Sequence, residues 1–577
     1  MKTALRRYAP GAFLALTGVC MALLLSALPA QPWGWAACGL ALGAAAYGNA
    51  RFFAETDRRL KTCFGVLGLL FVTATALGLR LDFHEETGWA ALLLCVGTGL
   101  CLGPAAGEGF AALARLLRKG KTPIGLSSRQ AFCLCLALLV VCWLPVALAF
   151  FPGITGYDID NQFRQIQTGQ YTTHHPLLHT LLIGGCMRLL GATAGYALYT
   201  GLQMAALAAA IAYAMSYLAS IRCPKGLWMG LVVLFTLAPQ HAVMAVSGTK
   251  DVLFAAALLM FVVSACCLYR DPEREKTVRP LARCLLWGAL ACLMRNGVAW
   301  AFGLAALAGL LFVRRLLGWR MPLCLALSAA LSLCVNGGLK AALHTPDIGL
   351  TGEALSIPCQ QLARVYALGE ADEAEGEEIL SRVPYAADYE PQLSDNAKSA
   401  VFFGHKPERL VSFFKLWGRV GLRHPSAYLD AFLYTTKGYW YVADDSFATI
   451  YDAQPNDARG VLMMRPAVGT GIQEKSLLPG LKALWKRLFE ENGFRRFPAL
   501  WQLLHPAVYS WLAAFAFTWA VWRKKNRFAL LCGAALAETA LKLLGPCCLI
   551  RYQYDLMLIA PVLLGVIASP AKEEIAP

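Results

Sequence analysis

The chain has 577 residues, 58% of them hydrophobic and only 15% charged, and its apolar runs repeatedly reach about 20 residues, the length that crosses a bilayer as helix. Such runs exclude a single soluble core, because Gly11 to Leu28, Cys63 to Leu79 and Ala131 to Phe151 are apolar all round rather than on one face. The formal charge of +16 lies in short loops between these runs, where it reads as a topology signal and not as a nucleic-acid footprint.

In chain order, MKTALRRYAP before the first apolar run resembles a signal peptide, but the run is long and no small-residue cleavage site follows it, so a retained first helix is expected. Basic residues at Arg6 and Arg7, at Arg58 to Lys61 and at Arg115 to Arg129 alternate with non-basic loops at Gln31 to Trp35 and Leu81 to Thr87. The positive-inside rule then puts the N-terminus in the cytoplasm and brings Phe151 out on the far side, which makes residues 1–150 an N-terminal set of transmembrane helices.

Residues 151–193 read as an extracytoplasmic loop with interfacial helices and an acidic motif, since His175 to Leu190 is too short and too polar at its ends for a confident span. Central transmembrane helices follow over 194–343, with Arg222 to Lys225, Arg270 to Arg279 and Arg314 to Arg320 inside and Ser247 to Asp251, Arg295 and Asn296 outside. Residues 344–500 lack spanning runs and read as an extracytoplasmic, mixed or mostly helical domain, whose acidic GEADEAEGEEIL run is a solvated face. C-terminal transmembrane helices occupy 501–577, with Trp522 to Arg527 and the C-terminus inside and Cys548 to Asp555 outside. The expectation is an all-α polytopic protein of the cytoplasmic membrane with about 14 transmembrane helices. The twenty cysteines fall mostly inside apolar segments with no CxxC framework and read as small packing residues.

Charged groups cost about 2.5 to 3.5 kcal/mol each at the centre of an inserted helix, so dense polar clusters beside spans mark a water boundary or a wet cavity. The densest is FPGITGYDIDNQFRQIQTGQYTTHHPLLH, Phe151 to His179. Asp158 and Asp160, two residues apart, suit a general base with a neighbour that holds a hydroxyl or a divalent cation, Mg or Mn; they equally suit the capping of an interfacial helix. Gln162 and Gln165 follow at helical spacing and are candidate sugar-binding amides. His174 and His175 join them as substrate-binding candidates, while His175 and His179 have a zinc-compatible i, i+4 spacing broken by Pro176 and without the Glu of HExxH. Lys250 and Asp251 open an apolar helix, where Asp caps and Lys stays at the surface. Arg295 and Arg551, the latter beside Tyr552, sit at outer edges of spans, where a guanidinium clamps a phosphate through two parallel hydrogen bonds.

The pieces PGITGYDIDNQ, HHPLLHTLL, GTKDVLFA, SIPCQQLARVY, HPSAYLDAFL, GYWY and RYQYDLMLIAP resemble the glycosyltransferase C superfamily, which includes protein O-mannosyltransferases and aminoarabinose transferases, and look closest to an uncharacterised bacterial branch of it. The resemblance covers approximately Phe151 to Pro561. It implies an inverting transfer of a sugar from a polyprenyl-phosphate donor to an extracytoplasmic glycan, lipid or protein acceptor, with membrane lipids as surroundings and no nucleic-acid partner. Asp158 would act as base with Asp160 beside it, and Lys250, Arg295, Arg364 and Arg551 would meet the donor phosphate. No cofactor is implied beyond the divalent cation that Asp158 and Asp160 admit. This chain departs from the mannosyltransferases, whose first loop carries an Asp-Glu pair, which leaves acceptor and metal requirement open. A transporter or lipid flippase, and a lipid-linked glycan polymerase or ligase, are the alternatives.

Overall fold

The computed structural model describes residues 11, 14–19, 32–84, 86–119, 122–270, 278–346, 349–444, 470–489 and 493–570, with the side chains of Tyr157, Asp158 and a few others outside the description. Of the expected first helix only residues 11 and 14–19 are described, and they are helical. The described residues are 80% helical, and among them one two-stranded antiparallel sheet joins β1 (Leu350–Thr351) to β2 (Phe402–Gly404).

The N-terminal helices are α1 (Pro32–Ala54), α2 (Arg58–Phe83), α3 (Gly88–Lys119) and α4 (Ser128–Ala149). Their starts follow local capping chemistry: the Asp57 side chain accepts from the Leu60 amide, and Ser127 and Gln130 form a reciprocal capping box before the apolar run of α4. Next come α5 (Tyr157–Thr168), α6 (Leu177–Leu190), α7 (Ala192–Ser220), α8 (Lys225–Leu237), α9 (Pro239–Val246), α10 (Lys250–Arg270), α11 (Val278–Met294), α12 (Val298–Phe312) and α13 (Arg320–Ala342). α8 and α9 are bent by 49° at their junction, as in a broken span or a re-entrant loop, because Pro239 lacks the amide that would continue the ladder and takes the first position of a new helix.

The segment after α13 builds a second core from α14 (Ser356–Ala367), α15 (Glu373–Arg382), α16 (Pro407–Arg423) and α17 (Pro425–Thr436), with Leu362, Ile379, Phe413 and Leu416 at its centre. α18 (Pro479–Phe489) and α19 (Pro498–Leu504) leave this domain and pack on the spanning bundle: the Leu477 amide bonds the Leu148 carbonyl at 3.0 Å, and Phe489 and Leu504 lie in the bundle core. The chain closes with α20 (Pro506–Trp522), α21 (Asn526–Lys542) and α22 (Ile550–Ala568), the last almost wholly buried.

Among the described residues seven helices are long and apolar enough to cross a membrane, eight if the bent α8–α9 pair is one span, so the fold is that of an all-α membrane protein. Against the expected 14, α11, α20 and α21 have 17 residues each, and α6 and α12 are shorter still.

The connections gather at two ends, which helices such as α2, 26 residues and so about 39 Å long, hold apart. At the domain end the Thr87 amide meets the Asp430 carboxylate at 3.2 Å, Lys437 pairs with Asp82, and the Gly248 amide bonds Ile154 O at 3.0 Å. Asn296 Nδ2 reaches Thr173 O at 2.9 Å there, and the Ser394 amide reaches Pro546 O at 2.9 Å. At the opposite end Arg115 pairs with Glu55 at 2.7 Å, Trp522 bonds Asp57 at 3.0 Å, and Lys525 and Arg270 bond the carbonyls of Ser569 and Pro570 at 2.8 and 2.6 Å.

Candidate active site at the domain end of the bundle

α5 begins after extended Gly156 and ends at left-handed Gly169, with φ 69°, a conformation that costs glycine nothing. Its Ile159 and Phe163 bury themselves against Tyr196, Tyr199 and Ile183. Gly248 fits beneath them because it has no side chain, as a Cβ there would lie 2.1 Å from Tyr196 Oη and 3.1 Å from Ile159 Cδ1. The backbone of Asp158 and Asp160 therefore stands at the first turn of a helix pinned to the Ser247 to Asp251 loop, while the Asp158 side chain lies outside the described residues.

A buried hydrogen-bond chain fixes that arrangement. Gln162 bonds Thr180 Oγ1 at 2.8 Å and His179 Nδ1 at 2.9 Å, and His179 Nε2 meets Tyr199 Oη at 2.6 Å. Tyr199 donates to Gln203 Oε1 at 2.7 Å, and Gln203 Nε2 donates to Ser247 O at 2.7 Å. Burying these groups unbonded would cost about 1–3 kcal/mol each, so the chain ties α5, α6, α7 and the 247–251 loop into one unit. This corrects two expectations. Gln162, 1% exposed, and Gln165, which bonds Asn161 and the Thr172 amide, face inward and serve as scaffold instead of lining a sugar site. His179 spends both ring nitrogens on protein partners, so the zinc spacing with His175 does not produce a shared site.

His175 stands against His174, rings 4.5 Å apart, and its Nδ1 lies 3.2 Å from Lys250 Nζ at the start of α10. Asn296 holds the carbonyls of Thr173 and His174, which brings the α11–α12 turn and Arg295 alongside. Arg295 lies over the Phe254 ring, with Cζ 5.1 Å from its centroid, and 3.8 Å from Glu538; its Nη1 makes no hydrogen bond. Glu538 in turn pairs with Lys542 at 2.6 Å, and Lys542 also meets Asp555 at 2.6 Å and Gln553 at 3.2 Å.

Of these groups Arg295, Asn296, Glu538 and Lys542 line a cavity of about 770 Å³, and His174, His175 and Lys250 stand outside its lining. Arg295, Glu538, Lys542, Tyr439 and Tyr552 line one end, apolar side chains of α10, α12, α13 and α21 line its length, and Phe312 and Met321 lie toward the other end. Arg551 packs its guanidinium on Tyr552, 4.8 Å from the ring centroid, with Nη2 3.1 Å from the hydroxyl.

Arg364 is not part of this group. It is 3% exposed inside the outer domain, 3.7 Å from Asp430 and bonded to Tyr389 Oη at 3.1 Å, which makes it a pillar of that domain and corrects its expected contact with phosphate. Lys437 anchors the same domain to α2 through Asp82 and also pairs with Asp444 of its own segment; burial works to lower its pKa, and the two carboxylates outweigh burial and hold it above the ordinary lysine value. The sequence reading missed Glu538, Lys542 and Asp555, although charges at i, i+4 inside the apolar run ALAETALKLL are themselves a signal of a functional site. Among the described residues no three His, Cys, Asp or Glu side chains converge as a metal site.

Residues 166–576 match a family described as a family of unknown function, DUF6020. The chain belongs to this family. No curated protein and no solved structure matches the chain. The family match takes in His175, Lys250, Arg295, Glu538, Lys542 and Tyr552, whereas Asp158 and Asp160 fall just before it.

Proposed function

We propose that the protein is an integral-membrane glycosyltransferase of the glycosyltransferase C type, inverting, which moves a sugar from a polyprenyl-phosphate donor to an acceptor outside the cytoplasmic membrane. The observation that carries this reading is the 770 Å³ cavity, apolar along its length and headed by Arg295. A polyprenyl chain suits the apolar walls, and its phosphate suits a guanidinium whose Nη1, 3.8 Å from Glu538, makes no hydrogen bond.

In the proposed reaction Asp158 takes the proton of the acceptor hydroxyl as its oxygen bonds the anomeric carbon. The bond from that carbon to the donor oxygen breaks with inversion, and the electron pair leaves on the phosphate, which Arg295 stabilises. Asp160 stands on the acidic helix itself, and Lys250, at the start of α10, lies 3.2 Å from His175 Nδ1. Asp158 and Asp160 are the pair that would hold a divalent cation at this helix. In this reading the domain end faces outward, the basic opposite end and both termini face the cytoplasm, and the shorter apolar helices bring the crossings toward 14.

A panel of radiolabelled polyprenyl-phosphate sugars, offered to the detergent-purified protein with and without Asp158→Asn, tests the proposal. The expected outcome is turnover of at least one carrier sugar and a loss of about 100- to 10,000-fold in the variant, which still inserts in the membrane. Full activity of the variant removes the base assignment. The bent α8–α9 pair and the buried Glu538–Lys542–Asp555 cluster favour a transporter or flippase as the second reading, and lipid binding without turnover of any carrier would select it.

A further inference from the structure

The outer domain carries a second concavity, of about 470 Å³, lined by Tyr385, Asp388, Tyr389, Glu390, Asn396 and Ser399. A short stretch of chain folds back on itself to make it. Residues Ala386–Asp388 form a 3-10 turn, the Leu393 amide bonds Glu390 O at 3.2 Å, and Asn396 Nδ2 bonds Asp388 O at 3.2 Å, which clamps one wall to the other. Tyr389 is held in place by the Arg364 guanidinium, whereas Tyr385 is 48% exposed.

Every side chain of this lining is polar or aromatic and none is cationic. Two carboxylates accept hydrogen bonds, an amide and hydroxyls accept and donate, and two phenol rings offer flat apolar faces. That set matches a pyranose, which presents many hydroxyl donors on its rim and C–H groups on its faces, and it repels phosphates, sulfates and uronates. Burial raises the pKa of Glu390, against a hydrogen bond from Asn396 that lowers it, and a hydroxyl or ammonium donor would stabilise its anion further.

The placement gives the cleft a purpose. Leu393 is buried against Cys547, Leu549 and Tyr552, and the Ser394 amide bonds Pro546 O at 2.9 Å. Pro546 and Tyr552 line the mouth of the apolar cavity, and Glu390 precedes Leu393 by a stretch of chain no longer than about 11 Å. One wall therefore separates the two concavities.

We propose that the Tyr385–Ser399 cleft is a carbohydrate subsite that holds a neutral or amino-sugar oligosaccharide, the acceptor glycan, beside the head of the donor cavity. This rests on the proposed glycosyl transfer and gives it an acceptor class.

The test is calorimetric binding to the full-length protein in nanodiscs of three probes: an N-acetylglucosamine tetramer, its deacetylated amine form and a uronate tetramer. The expected result is binding of one or both of the first two and not of the uronate. Tyr385→Ala weakens that binding roughly tenfold or more, and Asp388→Asn weakens the amine form by a similar factor, the loss of one hydrogen bond to a charged acceptor. Both variants change exposed side chains, and an unchanged melting temperature confirms that they fold. Binding of the uronate alone, of no tetramer, or of a tetramer indifferent to both substitutions overturns the cleft. Because binding needs no donor, tetramer binding by a protein that turns over no carrier sugar keeps the cleft and removes the transferase. Carrier turnover without tetramer binding does the reverse.

Discussion

Lys542 is the residue on which the buried polar interior depends. It lies one helical turn from Glu538 and across the α21–α22 contact from Asp555, at 2.6 Å from each. One ammonium thus serves two carboxylates away from water, and Arg295 lies 3.8 Å beyond. Removing one member of such a buried set leaves uncompensated charge, which costs about 3–5 kcal/mol, whereas exchanging the whole set for neutral groups of similar shape is much cheaper. Lys542→Ala is therefore expected to lower the unfolding temperature in detergent sharply, and the triple change Lys542→Met, Glu538→Gln, Asp555→Asn to recover most of it. Equal melting of the wild type and Lys542→Ala would remove the cluster from the stability argument. At this scale charge and aromaticity at span ends are visible in a string of letters, and of the residues singled out that way Arg295 and Tyr552 line the cavity. The sequence pointed the wrong way for Gln162, Gln165 and Arg364, because which face a polar side chain presents depends on neighbours far along the chain: Thr180, Thr172 and Asp430.

The α2–α3 pair shows what an element asks of its sequence. In a bilayer helices attract through close packing, since lipid is as apolar as leucine, and small residues allow backbones to approach. A Cβ on Gly68 would lie 2.1 Å from Gly103 O and 2.5 Å from Gly107 N, so this contact is backbone against backbone. Gly109, on the same helix as Gly103 and Gly107, has nothing within 4 Å of its Cβ position. Gly68→Leu is expected to abolish recovery of folded protein in size-exclusion chromatography, and Gly109→Leu to leave it unchanged. A folded Gly68→Leu protein would show that the helices separate without loss. The extents of α2 to α4 follow from apolar run length and caps, and were legible. The break between α8 and α9 was not marked, although Pro239 announced it, because proline bends only some of the spans that contain it: α3 and α4 continue through Pro104 and Pro145.

Across the whole molecule, the polar loops meet at one end and the basic ones at the other, and the outer domain sits on the polar end through Lys437–Asp82 and Thr87–Asp430. In the proposed topology that end is extracytoplasmic. A protease site inserted after Lys406, in an exposed loop, is expected to be cut from outside in spheroplasts, and one inserted after Thr56 only after lysis. Cleavage in the opposite order would invert the topology and put the candidate site in the cytoplasm. The sequence by itself determined the helical membrane class, the sorting of loops into two sets and the existence of a domain after α13, because hydropathy and charge are local properties read in a bilayer of fixed thickness. Only the tertiary structure decided that Arg295 from α11–α12, Glu538 and Lys542 from α21 and Tyr552 from α22 head one cavity. It also decided that the end of the segment expected as an extracytoplasmic domain, 470–489 and 493–500, packs on the bundle. Such meetings are set by packing between helices hundreds of residues apart, and no local pattern records them.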